Sequence, residues 1–297
     1  MGPDITVAIP TYNREAVLIK TILDVLAQSH SNLELLVIDQ TKAHQPETYE
    51  ALELIKDSRF RYFQIAPPSS TAARNFALQR AQAPLIVFVD DDVEMDGDLV
   101  KVHLQTFRSN PELSAVAGRV LQEGFPIGGD VLRFDQYAIS HGVFTATEPG
   151  FTNAFPGGNC GLRVADALKL GGFEMRYRGN AFREESDLSL RMAGAGQLIY
   201  YEPRAVLTHL AAPYGGNRVK THIYDDFGFY KNELFFTLRM VEKRHLREAL
   251  RRKYREYCLP VSHSQAFRRR LFFCLGLVAA AWRVFFGRRI AVREVAR

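Results

Sequence analysis

Short apolar runs alternate with longer amphipathic segments over the first hundred residues of the chain. The short runs are rich in β-branched residues and end in polar groups, which is typical of buried strands. This pattern predicts strands at Thr6–Pro10, Leu33–Asp39, Arg59–Ile65 and Leu85–Val89, and helices at Glu15–Gln28, Glu47–Lys56 and Thr71–Ala83. Because strands that alternate with helices form βαβ units, we expect an α/β fold with a Rossmann-like, mostly parallel sheet flanked by helices.

The pattern becomes less regular after residue 100, where glycine pairs such as Gly171-Gly172 mark turns. Later segments predict a helix at Phe182–Met192, short strands at Leu198–Tyr201 and Ala205–His209, and one or two basic amphipathic helices over Tyr224–Tyr257. We therefore expect one α/β domain over residues 1–215, with halves at 1–100 and 101–215. A helical C-terminal extension follows over residues 216–297.

Charge divides the chain near the same place. Residues 1–210 carry 19 Lys/Arg and 26 Asp/Glu, whereas residues 211–297 carry 19 Lys/Arg and 7 Asp/Glu. An acidic first part is suited to metal binding, and a basic tail is suited either to an anionic surface or to a solvated helix. The three cysteines are widely separated, which argues against a disulfide framework or a thiolate zinc site and fits a reducing cytosol. The N-terminal sequence also lacks the basic and apolar regions of a signal peptide.

Polar groups follow three of the predicted strands, at Thr11–Asn13, Asp39–Gln40 and Asp90–Asp92. Ligands of open parallel sheets bind beyond the carboxyl ends of the strands, so these groups are expected to gather along one edge. Three adjacent carboxylates repel one another unless a cation or solvent compensates them. Asp90–Asp92 therefore predicts a Mg²⁺ or Mn²⁺ site, with a solvated turn or a helix-cap cluster as the alternative.

A second acidic run begins at Glu184. In a helix, Glu184, Asp187 and Arg191 lie near one face, while Leu188 faces a core. A carboxylate held beside an acceptor hydroxyl can serve as a general base. The alternative is a set of surface ion pairs, which is the more frequent meaning of such a run.

Several basic residues stand where they can meet an anion. Arg74, at the start of a predicted helix, can hold a diphosphate together with helix N-terminal amides. Arg218, beyond the Gly215-Gly216 pair, can close over the same phosphate. His209 ends a predicted strand and can complete a carboxylate–metal site as a neutral imidazole. The alternatives are surface arginines and a structural histidine.

The order and spacing of eight sequence blocks resemble those of glycosyltransferase family 2 over roughly residues 4–215. The blocks are VAIPTYNRE at Val7–Glu15, LELLVID at Leu33–Asp39, AARNFAL at Ala72–Leu78, IVFVDDDV at Ile86–Val93, PGGNCGLR at Pro156–Arg163, LGGFE at Leu170–Glu174, REESDLSLR at Arg183–Arg191 and VLTHL at Val206–Leu210. The resemblance implies the GT-A fold, with a nucleotide-binding half at 1–100 and an acceptor-side half at 101–215. It also implies a nucleoside-diphosphate sugar donor, a divalent metal and, in most members, inversion at the anomeric carbon.

The resemblance also implies roles for individual residues. The donor would be bound by Pro10, Thr11, Tyr12, Arg14, Asp39, Gln40, Arg74, Asp90, Asp91, Gly158, Asn159 and Arg218. Tyr12 would stack on the base or flank it. Gln40 replaces the second acid of the family's Asp-Asp pair, so the resemblance does not imply uracil specificity. Asp92 would be the main ligand of Mn²⁺ or Mg²⁺, with Asp90 and His209 beside it.

The same resemblance places Glu185 at the position of the catalytic base, with Glu184 and Asp187 as alternatives. The acceptor would be a glycan or a lipid-linked sugar in polysaccharide or glycolipid assembly, and no nucleic-acid partner is expected. A nucleotidyltransferase is an alternative that predicts a glycine-rich nucleotide loop, which Ile9–Arg14 lacks. A non-enzymatic nucleotide-binding scaffold is the other alternative, and the acids at Asp90, Asp92 and Glu185 count against it.

The segment Leu271–Trp282 is uncharged but only twelve residues long, against about 20 needed to span a bilayer. Arginines flank it on both sides. This predicts an interfacial helix, with peripheral membrane contact through residues 267–289 at the inner face of the membrane of a cytoplasmic protein. A helix packed on the catalytic domain, or on a second copy in a homodimer, is the alternative.

Overall fold

The computed structural model describes residues 2–216, 224, 226–259, 263–286 and 293–294. The elements in chain order are β1 Ile5–Thr11, α1 Ala16–Leu26, β2 Leu33–Asp39, α2 Pro46–Leu54, β3 Phe60–Ala66, α3 Ser70–Arg80, β4 Leu85–Val89, β5 Val93–Met95, α4 Leu99–Ser109, β6 Leu113–Leu121, β7 Arg133–Phe134, β8 Ser140–His141, β9 Gly150–Thr152, β10 Asn159–Arg163, α5 Val164–Lys169, α6 Glu184–Gly194, β11 Leu198–His209, α7 Phe227–Met240, α8 Lys243–Cys258, α9 His263–Phe286 and β12 Arg293–Glu294.

One large sheet organises the α/β part of the molecule. Its strands follow the order β12-β3-β2-β1-β4-β10-β6-β11-β5, and β9 pairs with β11. Strands β3, β2, β1 and β4 are parallel neighbours, as are β6 and β11, whereas β10 runs antiparallel between β4 and β6. The expected α/β architecture with helices on the sheet is confirmed. In register, Thr11 lies beside Asp39, so the polar ends of β1 and β2 meet at one edge.

Two apolar layers cover the two faces of this sheet. On one face, Val7 and Ile9 of β1 belong to the same core cluster as Leu18 and Ile22 of α1. On the other face, Ala8 belongs to a second cluster with residues from α3, α5 and α6. This division follows from the strand geometry, because successive side chains of a strand point to opposite faces.

Two boundaries differ from those expected from the sequence. The predicted strands at Leu198–Tyr201 and Ala205–His209 form the single strand β11, whose pairing with β6 shifts register between Glu202 and Val206. Pro203 lies within that irregular stretch, where its missing N–H costs the sheet no regular bond. Helix α6 begins at Glu184 rather than at residue 182, because Arg183 has a left-handed φ of 75°.

The predicted helical segment Tyr224–Tyr257 contains two helices, α7 and α8, which pack with α9 in a third apolar cluster. Glu233 of α7 pairs with Arg183 at 2.7 Å and also with the buried Lys253 of α8. These contacts attach the C-terminal helices to the start of α6. Among the described residues, no helix combines the length and the apolar character needed to cross a membrane.

Candidate active site

A cavity of about 470 Å³ lies at the carboxyl edge of the sheet. It gathers the ends of β1, β2, β4 and β11 with the start of α3 and the start of α6. Its lining residues are Pro10, Thr11, Tyr12, Arg14, Gln40, Ser70, Arg74, Asp90, Asp91, Asp92, Asn180, Phe182, Glu184, His209 and Gly216. Most of the residues that the sequence singles out therefore share one cavity.

The three adjacent aspartates have three different environments. Asp91 is buried and accepts hydrogen bonds from Thr11 Oγ1 at 2.7 Å and from Arg14 Nε at 3.0 Å. Arg14 also donates through Nη2 to Asp92 Oδ2 at 2.9 Å. Burial raises the pKa of Asp91 to about 6, against the opposing charge of Arg14. Arg14 thus offsets much of the repulsion among the three aspartates. That repulsion was the reason to predict a bound cation from the sequence.

Asp92 and His209 form the part of the cavity best suited to a metal ion. Asp92 Oδ2 accepts from Arg14 and from the Ala212 N–H at 2.9 Å, while its Oδ1 lies 3.2 Å from His209 Nε2. On its other side, the His209 ring places Nδ1 2.9 Å from Gln122 Oε1. A proton on Nδ1, donated to that oxygen, would let Nε2 either carry a proton donated to Asp92 or, once unprotonated, direct its lone pair toward a metal. Although burial opposes it, the hydrogen bond with His209 helps to keep the pKa of Asp92 low.

These two donors fit one edge of a metal coordination sphere. Adjacent ligands of an octahedral ion of this size are about 3 Å apart, close to the observed Oδ1–Nε2 separation. Across the described part of the chain, no three His, Cys, Asp or Glu side chains are grouped closely enough to hold a metal. The remaining ligands would therefore come from substrate phosphates and water, as is usual for Mg²⁺ sites.

Asp90 is the most accessible of the three acids, with 40% of its side chain exposed. Its Oδ1 lies 3.7 Å from Arg74 Nη2. A Cβ at Gly158 would lie only 2.0 Å from Asp90 Oδ2, so glycine is needed there for the carboxylate to occupy its position. Gly158 thus shapes the site by leaving space for Asp90.

Arg74 is a buried cation fixed in the cavity wall. Its Nε donates to Glu184 Oε1 at 3.2 Å, and its Nη1 donates to the Gly157 carbonyl oxygen at 2.7 Å. The guanidinium also lies over the rings of Phe88 and Phe173. Burial works against the charged form, but the carboxylates of Glu184 and Asp90 keep the pKa of Arg74 raised.

The carboxylates at the start of α6 are also held differently from one another. Glu184 accepts from Ser70 and Arg74, and its second oxygen has no hydrogen-bond partner in the described part of the chain. Burial raises the pKa of Glu184 to about 7 in spite of Arg74. Glu185 is half-buried, accepts from the adjacent Ser186 at 3.1 Å, and has a pKa raised by burial.

Like Glu185, Asp187 lies outside the cavity lining. It is fully buried and pairs with Arg191 at 2.6 Å and with Arg239 at 2.7 Å. The Tyr177 hydroxyl donates a further bond to it at 3.2 Å. This network joins α6 to α7.

Other expected donor-binding residues lie at different depths. Asp39 is buried behind the cavity, where Thr41 N donates to it at 2.7 Å and His44 and Tyr62 contact the same carboxylate. Burial opposes it, but these hydrogen bonds keep the pKa of Asp39 low. Gln40 lines the cavity and donates to the Thr11 carbonyl oxygen at 3.2 Å.

Asn159 is fully buried and outside the cavity lining, and it ties β10 to its surroundings through His103 and Ala205. Arg218 lies outside the described residues. The cavity also contains Ser70, Asn180 and Phe182, which the sequence analysis does not single out. The only sequence feature that could have pointed to them is their position. Ser70 is the first residue of α3, and Asn180 and Phe182 lie just before α6.

Residues 6–145 match the sequence model described as Glycosyl transferase family 2. Residues 6–145, a little under half of the chain, are thus similar to family 2 glycosyltransferases. An uncharacterized glycosyltransferase of Rickettsia conorii is 34% identical over 106 residues, covering 36% of this chain and 17% of that protein. The putative colanic acid biosynthesis glycosyl transferase WcaA of Escherichia coli is 31% identical, covering 35% of this chain and 37% of that protein.

A third protein to which the chain is similar is the GalNAc(5)-diNAcBac-PP-undecaprenol β-1,3-glucosyltransferase of Campylobacter jejuni. It is 27% identical, with 41% of this chain and 39% of that protein covered. The match thus spans less than half of the length of each of these three relatives.

Solved structures show the same fold. A mannosyltransferase of Pyrobaculum calidifontis in complex with GDP-Man and Mn²⁺ matches with a TM-score of 0.58 and 16% identity, covering 96% of this chain and 88% of that chain. GalNAc-T7 with UDP, GalNAc and Mn²⁺ matches with a TM-score of 0.63 and 14% identity, covering 95% of this chain and 57% of that chain. The fold is that of the GT-A glycosyltransferases, as the sequence resemblance implies.

Proposed function

We propose that this glycosyltransferase transfers a sugar from a nucleoside-diphosphate donor to an acceptor hydroxyl, with a divalent cation and inversion of the anomeric carbon. The observation that carries the proposal is the Asp92–His209 pair, 3.2 Å apart, in one cavity with Arg74 and Asp90. A metal-ligand pair beside a fixed guanidinium suits a diphosphate leaving group. The complexes of two structural neighbours with Mn²⁺ and a nucleotide or nucleotide sugar support the same chemistry.

Each cavity residue then has a physical task. Asp92 and His209 would hold Mn²⁺ or Mg²⁺, which when bound supplies Lewis-acid stabilisation of the departing diphosphate. Arg74 adds a fixed positive charge where negative charge develops. Tyr12 flanks the base, and Asp90 approaches the donor ribose. Arg14 acts indirectly, because it holds Asp91 and Asp92 in place.

Glu185 is proposed as the general base that takes the proton from the acceptor hydroxyl as that oxygen attacks. Glu184 is bound by Ser70 and Arg74 from α3, so its carboxylate orients the guanidinium. The side-chain hydrogen bond of Glu185 comes from its own neighbour Ser186, and Glu185 is more accessible than Glu184. Its raised pKa brings it closer to the working pH, which favours proton transfer.

The acceptor is proposed to be a glycan or a lipid-linked sugar in polysaccharide or glycolipid assembly. The relatives in colanic acid biosynthesis and in undecaprenol-linked glycan synthesis support this assignment. The proposed site of action is the cytoplasm, peripheral at the inner face of a membrane, where a lipid-linked acceptor would be met.

The donor site can be tested by calorimetric titration with UDP and GDP, with and without Mn²⁺. We expect Mn²⁺ to tighten binding of at least one of these at least tenfold in the native chain. Asp92→Asn should remove this gain, because an amide is a weaker ligand than a carboxylate. Asp96→Asn, at an exposed acid outside the cavity, is the matched control and should keep it. A Mn²⁺ effect that survives Asp92→Asn, or the absence of any nucleotide binding, would refute the proposal.

A further inference from the structure

Three cavities lie in a row: the active-site cavity, a middle cavity and a groove on α9. The active-site cavity shares Tyr12, Ser70, Asn180 and Gly216 with a middle cavity of about 710 Å³. The middle cavity in turn shares Arg178 and Phe227 with a groove of about 460 Å³ on the surface of α9. A ligand bound in the groove can therefore extend toward the active site through contiguous space.

The groove has an apolar floor. Helix α9 contributes Leu275, Val278, Ala279 and Trp282 to its lining, and the exposed fractions are 48% for Leu275, 69% for Val278 and 61% for Trp282. Other residues of α9, among them Phe273 and Ala280, are buried in the third core cluster. The helix is thus anchored by one face and presents a second apolar face to the groove. Such a surface fits a hydrocarbon chain.

Guanidinium groups border this apolar floor. Arg176, Arg178 and Arg283 line the groove, and Lys231 lines the middle cavity with the acid Asp226. Arg176 pairs with Glu174 at 2.8 Å, whereas Arg283 donates to Asn232 Oδ1 at 2.8 Å.

Arg283 forms no ion pair with a carboxylate anywhere in the described residues. Burial lowers its pKa, and the positive charges of Arg178 and Arg176 lower it further. Arg283 therefore brings to the groove a positive charge that no carboxylate of the described residues pairs with.

We propose that this groove binds the acceptor as a lipid phosphate. Its hydrocarbon chain would lie on Leu275, Val278 and Trp282, and its phosphate groups would lie against Arg178 and Arg283. The carried sugar would then extend through the middle cavity toward Glu185. The assignment of this ligand as acceptor rests on the proposed glycosyl transfer.

The arrangement favours this occupant over two others. A bilayer surface would require only an exposed apolar face, not a groove that continues into the active-site cavity. A second copy packed across α9 by a two-fold axis would bring the same arginines of both copies into one interface. A phosphate-bearing lipid satisfies both the apolar floor and the guanidinium groups.

Trp282 is the only tryptophan of the chain, so its fluorescence reports on the groove directly. Full-length protein would be titrated with farnesyl diphosphate below its critical micelle concentration, and separately with farnesol and with inorganic pyrophosphate. We expect a saturable blue shift with farnesyl diphosphate, and at least tenfold weaker binding of either fragment. Equal affinity for farnesol, or a Trp282 emission that changes only with protein concentration, would overturn the proposal in favour of a bilayer face or a dimer interface.

Two exposed positions on the same helix supply a matched pair of variants. Val278→Asp, in the groove, should weaken farnesyl diphosphate binding at least tenfold. Phe285→Asp, at a residue 77% exposed and outside the groove lining, should leave it unchanged. An equal loss from both variants would show a general lipid-facing surface and contradict a defined site.

This experiment needs no donor, so its failure is separable from failure of the proposed function. If nucleoside diphosphate binds with Mn²⁺ while farnesyl diphosphate leaves Trp282 unchanged, the groove assignment is wrong and the glycosyltransfer proposal stands. If farnesyl diphosphate binds but no nucleotide does, both the acceptor role and the proposed function are wrong.

Discussion

The two acidic runs of this protein, Asp90–Asp92 at the end of β4 and Glu184–Asp187 at the start of α6, have similar sequences and a similar internal division. In each run one carboxylate is committed to arginines: Asp91 to Arg14, and Asp187 to Arg191 and Arg239. All three aspartates of the first run line the cavity, whereas in the second run Glu184 lines it and Glu185 and Asp187 do not. The comparison shows that tertiary contacts decide which of several neighbouring acids has a structural role and which is available for chemistry.

The two runs differ in how burial acts on the acids proposed for chemistry. Asp92 keeps a low pKa, because His209 and Arg14 favour its charged form against burial. Burial instead raises the pKa of Glu184 to about 7, and it also raises that of Glu185. A stable anion suits a metal ligand, whereas a carboxylate nearer neutrality suits proton transfer. The difference agrees with a metal side and a base side of one cavity.

The largest expected effect is on catalysis at α6. Glu185→Gln should lower kcat about 10²- to 10⁴-fold while nucleotide binding stays intact, because an amide cannot take up the acceptor's proton. Glu184→Gln should cost less in kcat, since its role is to orient Arg74. Steady-state kinetics and calorimetry on both variants measure these effects, with the exposed Glu53→Gln as control. A greater loss of kcat in Glu184→Gln than in Glu185→Gln would exchange the two roles.

The next effect is on stability, and it concerns the structural member of each run. Asp187→Asn should lower the free energy of unfolding by about 3 kcal/mol, because it leaves two largely buried arginines with less compensation. Asp91→Asn should lower it less, because burial raises the pKa of Asp91 to about 6 and so already disfavours its charged form. Urea denaturation measures this loss. Glu185→Gln should change stability much less, because it removes a half-buried carboxylate that burial disfavours. If Asp187→Asn keeps full stability but loses activity, Asp187 belongs to the catalytic group.

The smallest expected effect is the dependence on pH. Protonation of Glu184 should lower kcat/KM and raise the stability of the protein. As pH falls through about 7, Glu184 takes up a proton and weakens its pair with Arg74, so kcat/KM should fall by up to about tenfold per pH unit. The folded pKa of Glu184 is raised above the ordinary value of 4.5. Its contribution to stability is therefore fully present below about pH 4.5 and is lost as pH rises through about 7.

Glu184→Gln should remove both trends, moving the acid limb of kcat/KM to lower pH and flattening stability over the same range. Rate profiles and urea midpoints from pH 4.5 to 8 test this, with the native chain as reference. If the decrease of kcat/KM at low pH occurs at the same pH in Glu184→Gln, another group causes it.

The first half of the fold could be predicted closely because its signals are local. The alternation of apolar runs and amphipathic segments predicted the strands β1–β4 and the helices α1–α3 within a few residues. Helix α4 and strand β6 were not predicted, although α4 buries Leu104 and Phe107 at helical spacing within Leu99–Ser109. The short strands β7, β8 and β9 carry two or three residues each, too few for a periodic pattern.

The C-terminal helices could be predicted as helical but not placed. A basic composition favours a solvated surface helix, whereas Lys253 of α8 is fully buried against Glu233. The apolar character of α9 has two causes in the structure, since one face packs on the core and another lines the groove. Sequence periodicity alone does not distinguish these two faces.

The sequence by itself determined the parallel strands β1–β4, the edge at which their ends meet, and the acids, arginine and histidine that collect there, because strand pattern and strand ends are properties of adjacent residues. Only the tertiary structure decided the state of each acid. The pair Arg14–Asp91 joins residues 77 positions apart, and Arg74–Glu184 joins residues 110 apart. Burial and charge act through space, so the chemistry of a carboxylate depends on neighbours that its own stretch of sequence does not contain.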